Sequence, residues 1–166
     1  MIFQPLSRRS MLAATTGVAG AALLATPFGV FAPAAAATSL APTRSMRGGA
    51  NNYRPNAPLV ERTGSGFFVR GKVLRAGDGA PLKDVRIQIW AATVLGGEPD
   101  PVNHGSVLTR ADGSFELEMA QIVPNFGQPH AHLAYDDGAY KTVFLRPVMP
   151  SARDTSVSAD FVLAPA

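Results

Sequence analysis

Val85-Arg86-Ile87-Gln88-Ile89-Trp90 alternates apolar and polar side chains with a period of two, the pattern of a strand with one face in a core. Val85, Ile87 and Ile89 share one face, Arg86 and Gln88 the other. Working outward, short runs of the same character recur, separated by turn signals. Phe67 to Leu74 precedes Ala76-Gly77-Asp78-Gly79, a hairpin-type turn or loop. Ser106 to Thr109 and Ser114 to Met119 flank Ala111-Asp112-Gly113, a tight-turn signal. Phe115, Leu117 and Met119 point one way, Glu116 and Glu118 the other. His130 to Tyr135 and Tyr140 to Leu145 flank Asp136-Asp137-Gly138, a second hairpin signal, and Val157 to Leu163 closes the set.

No segment beyond residue 37 has a sustained helical period. About seven strands at short spacing predict an all-β fold, an antiparallel β-sandwich of Ig-like or transthyretin-like character occupying residues 67–166. Residues 38–66 are rich in Pro, Arg, Asn and Gly and read as a flexible arm or linker. Trp90 reads as a core or strand-end aromatic.

Residues 1–37 combine a basic start, an apolar middle and the small-residue run Ala34 to Ala37, the three parts of a secretory signal. Arg8-Arg9, preceded by Ser7 and followed by Met11-Leu12, resembles a twin-arginine signal. Pro27 and Gly29 interrupt the apolar stretch, and its Ala, Gly and Thr content keeps hydropathy low, which favours export over a permanent anchor. The expected location is therefore periplasmic or extracellular. The export machinery is one partner, and the membrane enters only through the signal before cleavage.

The chain carries 15 Lys and Arg against 12 Asp and Glu, and removing Arg8 and Arg9 from the 15 leaves 13. That near-neutral remainder has no basic stripe of the kind nucleic acid requires. With no cysteine, disulfides, zinc-thiolate sites and thiol nucleophiles are excluded.

Of the three histidines, His130 and His132 lie at i and i+2 of an expected strand, so both rings project from one face. Such a pair can bind one metal ion if a further oxygen or nitrogen donor joins it. Glu98 and His104, in the preceding loop, are the alternatives for that donor.

The ordered series Gly71-Lys72-Val73, Gly79 to Leu82, Val85 to Trp90, Gly96-Gly97, Thr109 to Phe115, Pro124 and His130-Ala131-His132 resembles the core of the intradiol ring-cleavage dioxygenases. It spans about Phe67 to Leu145. The resemblance implies a non-heme ferric ion held by two tyrosinates and by the two histidines of an H-x-H pair, here His130 and His132. It further implies a catechol-type aromatic bound as its dianion, with oxygen attacking the ring between the hydroxylated carbons. One tyrosinate leaves the metal and helps deprotonate the substrate.

The tyrosines do not carry over. The family spacing from Trp90 lands on Glu98, and the segment of the second tyrosine reads Pro124-Asn125-Phe126. Gly127, with Gln128 beside it, stands where the family has Arg, and Arg110 replaces the first Asp of its T-D-x-D-G turn. Tyr53, Tyr135 and Tyr140 remain as phenolate donors off the family positions. Two histidines with a carboxylate suit Fe(II), and also zinc or manganese. The expected function is oxidative cleavage of catechol-type aromatics by non-heme iron. The alternatives are a catalytically degenerate β-sandwich that binds a carbohydrate, polymer or envelope partner, and a zinc- or copper-binding protein using the histidine pair.

Overall fold

The computed structural model describes residues 39–149 and 151–166; the expected signal over 1–37 lies outside the described residues. The alternating segment forms strand β2, Arg86–Ala91. Around it stand β1 (Gly66–Arg75), β3 (His104–Leu108), β4 (Ser114–Ala120), β5 (Ala131–Tyr135), β6 (Val143–Leu145), β7 (Ser156–Ser158) and β8 (Phe161–Leu163). One sheet has the order β3-β2-β5-β6, antiparallel throughout. In the other, β1 lies between β4 on one side and β7 and β8 on the other.

The sandwich is all-β, as its alternating patterns require, with three departures from the expectation. The closing run is two strands, because the chain breaks at Ala159 and Asp160, whose N–H and carboxylate bond to Arg70 O (3.0 Å) and Lys72 N (2.7 Å). Gly71 makes room for that break: a Cβ there would stand 1.9 Å from Ala159 O. Both β7 and β8 run parallel to β1, so this sheet is mixed rather than purely antiparallel. The Ala111-Asp112-Gly113 turn, closed by Gly113 N–H on Arg110 O at 2.9 Å, carries the chain between sheets instead of closing a hairpin.

Inner faces interlock as the period of two dictates. Phe67, Val69 and Val73 of β1, Phe115, Leu117 and Met119 of β4, and Phe161 and Leu163 of β8 meet Ile87 and Ile89 of β2, Leu133 and Tyr135 of β5, and Val143 and Leu145 of β6. Each large side chain so buried contributes about 1.5–3 kcal/mol.

β2 is buried on both faces, not one. Gln88 and Trp90, which point away from the core, are 2% and 1% exposed. The cover is the arm, residues 39–66, which has little regular secondary structure but bonds along both sheets. Met46 N–H donates to Phe144 O (2.7 Å), Ser106 N–H to Pro58 O (2.7 Å) and Thr63 N–H to Glu118 O (2.9 Å). Ala57 N–H donates to Gln88 Oε1 at 2.9 Å, and Gln88 Nε2 donates to Tyr53 Oη (3.0 Å) and Asp136 Oδ1 (2.6 Å). Gly49 allows close approach, since a Cβ there would lie 2.8 Å from Phe144 O.

Candidate metal centre

Sheet register brings three rings into a row beneath the arm. Trp90 of β2 pairs with His104 of β3 on one side and with His132 of β5 on the other. Its ring stacks on both, with centroids 5.8 Å and 5.1 Å away and interplanar angles of 7° and 11°. The indole N–H donates to Asn51 O of the arm at 2.9 Å. His130 immediately precedes β5 and is held by a bridge to Val148; its ring meets that of His132 edge-on at 4.9 Å.

Glu98 arrives from the β2–β3 loop, which is tied to itself. Thr93 Oγ1 bonds to Asn103 Oδ1 (2.7 Å), Asn103 Nδ2 donates to Gly97 O (2.9 Å), and Gly97 N–H donates to Asp100 Oδ2 (2.6 Å). The loop turns the carboxylate inward, so Glu98 is 4% exposed, beside His130 at 3% and His132 at 0%. Among the described residues, Glu98, His130 and His132 offer ligand atoms that all lie within 4.8 Å of one another.

The hydrogen bonds around these groups fix which atoms face inward. His130 Nδ1 lies 2.8 Å from Gln128 O and His132 Nδ1 3.0 Å from Gly49 O, and a carbonyl oxygen can only accept. Both rings therefore carry a proton on Nδ1. The Arg146 guanidinium, 3.2 Å from His130 Nδ1, can only donate, so it is no partner for a protonated Nδ1 and lies farther off than Gln128 O. Each Nε2 is then the atom that meets Glu98 Oε1, at 2.8 Å for His130 and 3.5 Å for His132; it holds a proton there when the ring is charged and offers its lone pair to a metal when the ring is neutral. His132 Nε2 is buried with no protein hydrogen-bond partner. Two imidazole nitrogens and a carboxylate oxygen converging in a buried space are a donor set that a divalent metal fits.

Glu98 is kept anionic. Burial pushes its carboxyl up, but hydrogen bonds from the Asn125 and Asn52 side chains, with the adjacent His132 and His130, outweigh burial and hold it below its ordinary value. Asn52 Nδ2 donates to Glu98 Oε2 at 2.8 Å, leaving Oε1 toward the imidazoles. Burial lowers His132 from its ordinary value and outweighs its bond to Gly49 and its carboxylate neighbour.

Of the four residues proposed as ligands from sequence, the fold brings three together and sets His104 apart. Its Nε2 is 2.6 Å from the backbone oxygen of Glu98, and Trp90 stands between its ring and that of His132. Tyr53 Oη is bound by Gln88, Tyr135 Oη donates to Asp137, and the Tyr140 ring packs on that of Tyr135. Phe126, where the family pattern has a tyrosine, turns outward at 98% exposure with φ of 47°, and its neighbour Asn125 lies beside Glu98 instead. Gly49, Asn52 and Asn125 were not singled out from the sequence, because in Gly48-Gly49-Ala50-Asn51-Asn52 and Asn125 it shows only loop composition.

No protein-family model matches the chain, and no curated protein does either. Solved structures do. The chain is similar to 3-chlorocatechol 1,2-dioxygenase from Rhodococcus opacus 1CP, with TM-score 0.56 and 18% identity over 75% of this chain and 72% of that one. Hydroxyquinol 1,2-dioxygenase from Pseudomonas putida DLL-E4 gives 0.55 and 16%, over 77% and 68%. The chain has the intradiol dioxygenase fold. The dioxygenase domain of a dioxygenase carbohydrate-binding protein fusion from Streptomyces sp. SirexAA-E, at TM-score 0.56 and 20% identity, is covered over 98% of its length by 75% of this chain.

Proposed function

We propose that the protein is an exported oxidoreductase acting on catechol-type aromatics, with a divalent iron held by Glu98, His130 and His132. One observation carries this reading: both Nδ1 atoms are committed to carbonyl oxygens, so both Nε2 atoms face an anionic carboxylate in a buried site. The intradiol dioxygenase fold supports the choice of substrate class. Replacement of tyrosinate by carboxylate supports the divalent state, since two histidines and a carboxylate form a recognised Fe(II) set. When bound, iron would supply the redox centre at which a chelating catechol and dioxygen meet.

The protein's own part is orientation. Gln128 O and Gly49 O fix the two imidazoles, while Asn52 fixes the carboxylate. With Phe126 turned outward, the anionic group beside the histidines that could take a proton from a catechol hydroxyl is Glu98.

The same donor set suits zinc or copper, and the engagement of the Tyr53 and Tyr135 hydroxyls by Gln88 and Asp137 favours that second reading over a ferric enzyme. Metal analysis of protein recovered after export, together with oxygen uptake on catechol and hydroxyquinol, separates the two. Near-stoichiometric iron with oxygen consumption supports the proposal. Zinc or copper without oxygen uptake replaces it with the second reading, and metal-free inactive protein refutes both. Export itself is tested by fractionation of cells expressing the chain with Arg8→Lys and Arg9→Lys, which should retain it in the cytoplasm.

A further inference from the structure

His104 invites a question that its sequence neighbours do not answer. It is 4% exposed, its Nδ1 is buried without a protein partner, and it makes no approach to the metal-ligating atoms. An unpaired buried nitrogen costs about 1–3 kcal/mol, so a position needed only for packing would be better filled by Phe. What the ring does make is a 2.6 Å bond from Nε2 to the backbone oxygen of Glu98. Because a carbonyl only accepts, Nε2 carries the proton and Nδ1 the lone pair, the reverse of the arrangement at His130 and His132.

We infer that His104 is a positioning residue, which clamps the Glu98 backbone through Nε2–H and keys it through Trp90 to the ring of His132. The inference rests on the reading of Glu98 as a metal ligand. The loop bonds made by Thr93, Asn103 and Asp100 shape the turn but stop at Gly97. His104 is the side chain that fastens the Glu98 backbone itself, and it does so from β3, in register with β2 and β5. Because Trp90 is flat against both imidazoles, the separation of the Glu98 backbone from the His132 ring is set by the thickness of three stacked rings. Ligand spacing is thus measured by the sheet and does not depend on the loop alone.

The test uses Zn2+ as probe, titrated into the full chain against a chromophoric chelator. His104→Phe keeps the ring and removes the donor, while His104→Gln returns an N–H near the Nε2 position. The Phe variant should bind Zn2+ roughly 10–100-fold more weakly, as loss of a partner that orients a ligand does, and the Gln variant should recover most of it. With Co2+ in place of zinc, the visible spectrum should change in the Phe variant and revert in the Gln variant. Equal affinity for wild type and His104→Phe overturns the inference and leaves the metal reading intact. Equal weakness of both variants also overturns it, since the donor would then not matter. Failure of wild type to take up Zn2+ overturns the metal reading itself. Independent of folding of the variants, nitrogen-15 NMR of wild type should find His104 protonated on Nε2; protonation on Nδ1 refutes the clamp.

Discussion

Substituting Glu98→Gln should move stability and metal binding in opposite directions. In the metal-free protein, Glu98 Oε1 faces His130 Nε2 at 2.8 Å and His132 Nε2 at 3.5 Å, both lone-pair atoms when the rings are neutral and their Nδ1 groups donate to carbonyls. An amide group in place of Oε1 would donate to His130 Nε2, and its oxygen, in place of Oε2, would still accept from Asn52. Giving a buried polar group a partner is worth about 1–3 kcal/mol. For a domain of this size that raises the metal-free Tm by roughly 3–10 °C. The same change removes the negative charge among the three ligands. The stabilisation that zinc gives wild type, about 2.7 kcal/mol at a hundredfold excess over Kd, should then vanish. Scanning calorimetry of both proteins, with EDTA and with zinc, measures all four values. A metal-free variant that melts below metal-free wild type would refute the reasoning. It would mean that a buried imidazolium–carboxylate pair holds the three residues, for which loss of one partner is strongly destabilising.

Asn52→Ala removes a donor to Glu98 from the arm and should weaken Zn2+ binding about 10–100-fold, read by chelator competition, with a far smaller change in Tm. Ile89→Ala, at a fully buried position of β2, should cost about 2–5 kcal/mol in urea unfolding while leaving zinc stoichiometry unchanged where the protein is folded. Burial, and then its bond to Asp137, raise the Tyr135 phenol well above its ordinary value, so it stays neutral in the native state. A raised native pKa means this stabilisation is complete below about pH 10 and is lost as pH climbs toward the native value. Urea midpoints should accordingly fall above pH 10, and alkaline absorbance titration of native protein should leave the Tyr135 phenol unionised.

Strand identity was legible because period-two alternation is a direct record of which face is buried. Phe115, Leu117 and Met119 against Glu116 and Glu118 is as clear in the sequence as in the fold. The histidine pair was legible for the same reason, since i and i+2 must share a face. What alternation cannot report is a second cover. Gln88 and Trp90 read as an outward face, and only the arm lying on them turns that face into an interior. Side-chain spacing also placed Glu98 and His104 as equal contenders for the third ligand, whereas backbone geometry separates them. Glu98 turns its carboxylate in, and His104 spends its Nε2 on that residue's carbonyl. Break points such as Ala159 and Asp160 were illegible because they depend on one hydrogen bond each to a strand far away in sequence.

The arm contributes Gly49 O to His132 across 83 positions of sequence and Asn52 to Glu98 across 46. A segment without a ladder of its own opens more readily than the sheets beneath it. An ion seated between Glu98 and the histidines could then leave through the same local opening that exposes the amides of residues 46 and 49 to solvent exchange. Off-rate and deuterium uptake would report a single event, and the residence time of the ion would be written in the stability of a strap that contains none of its ligands.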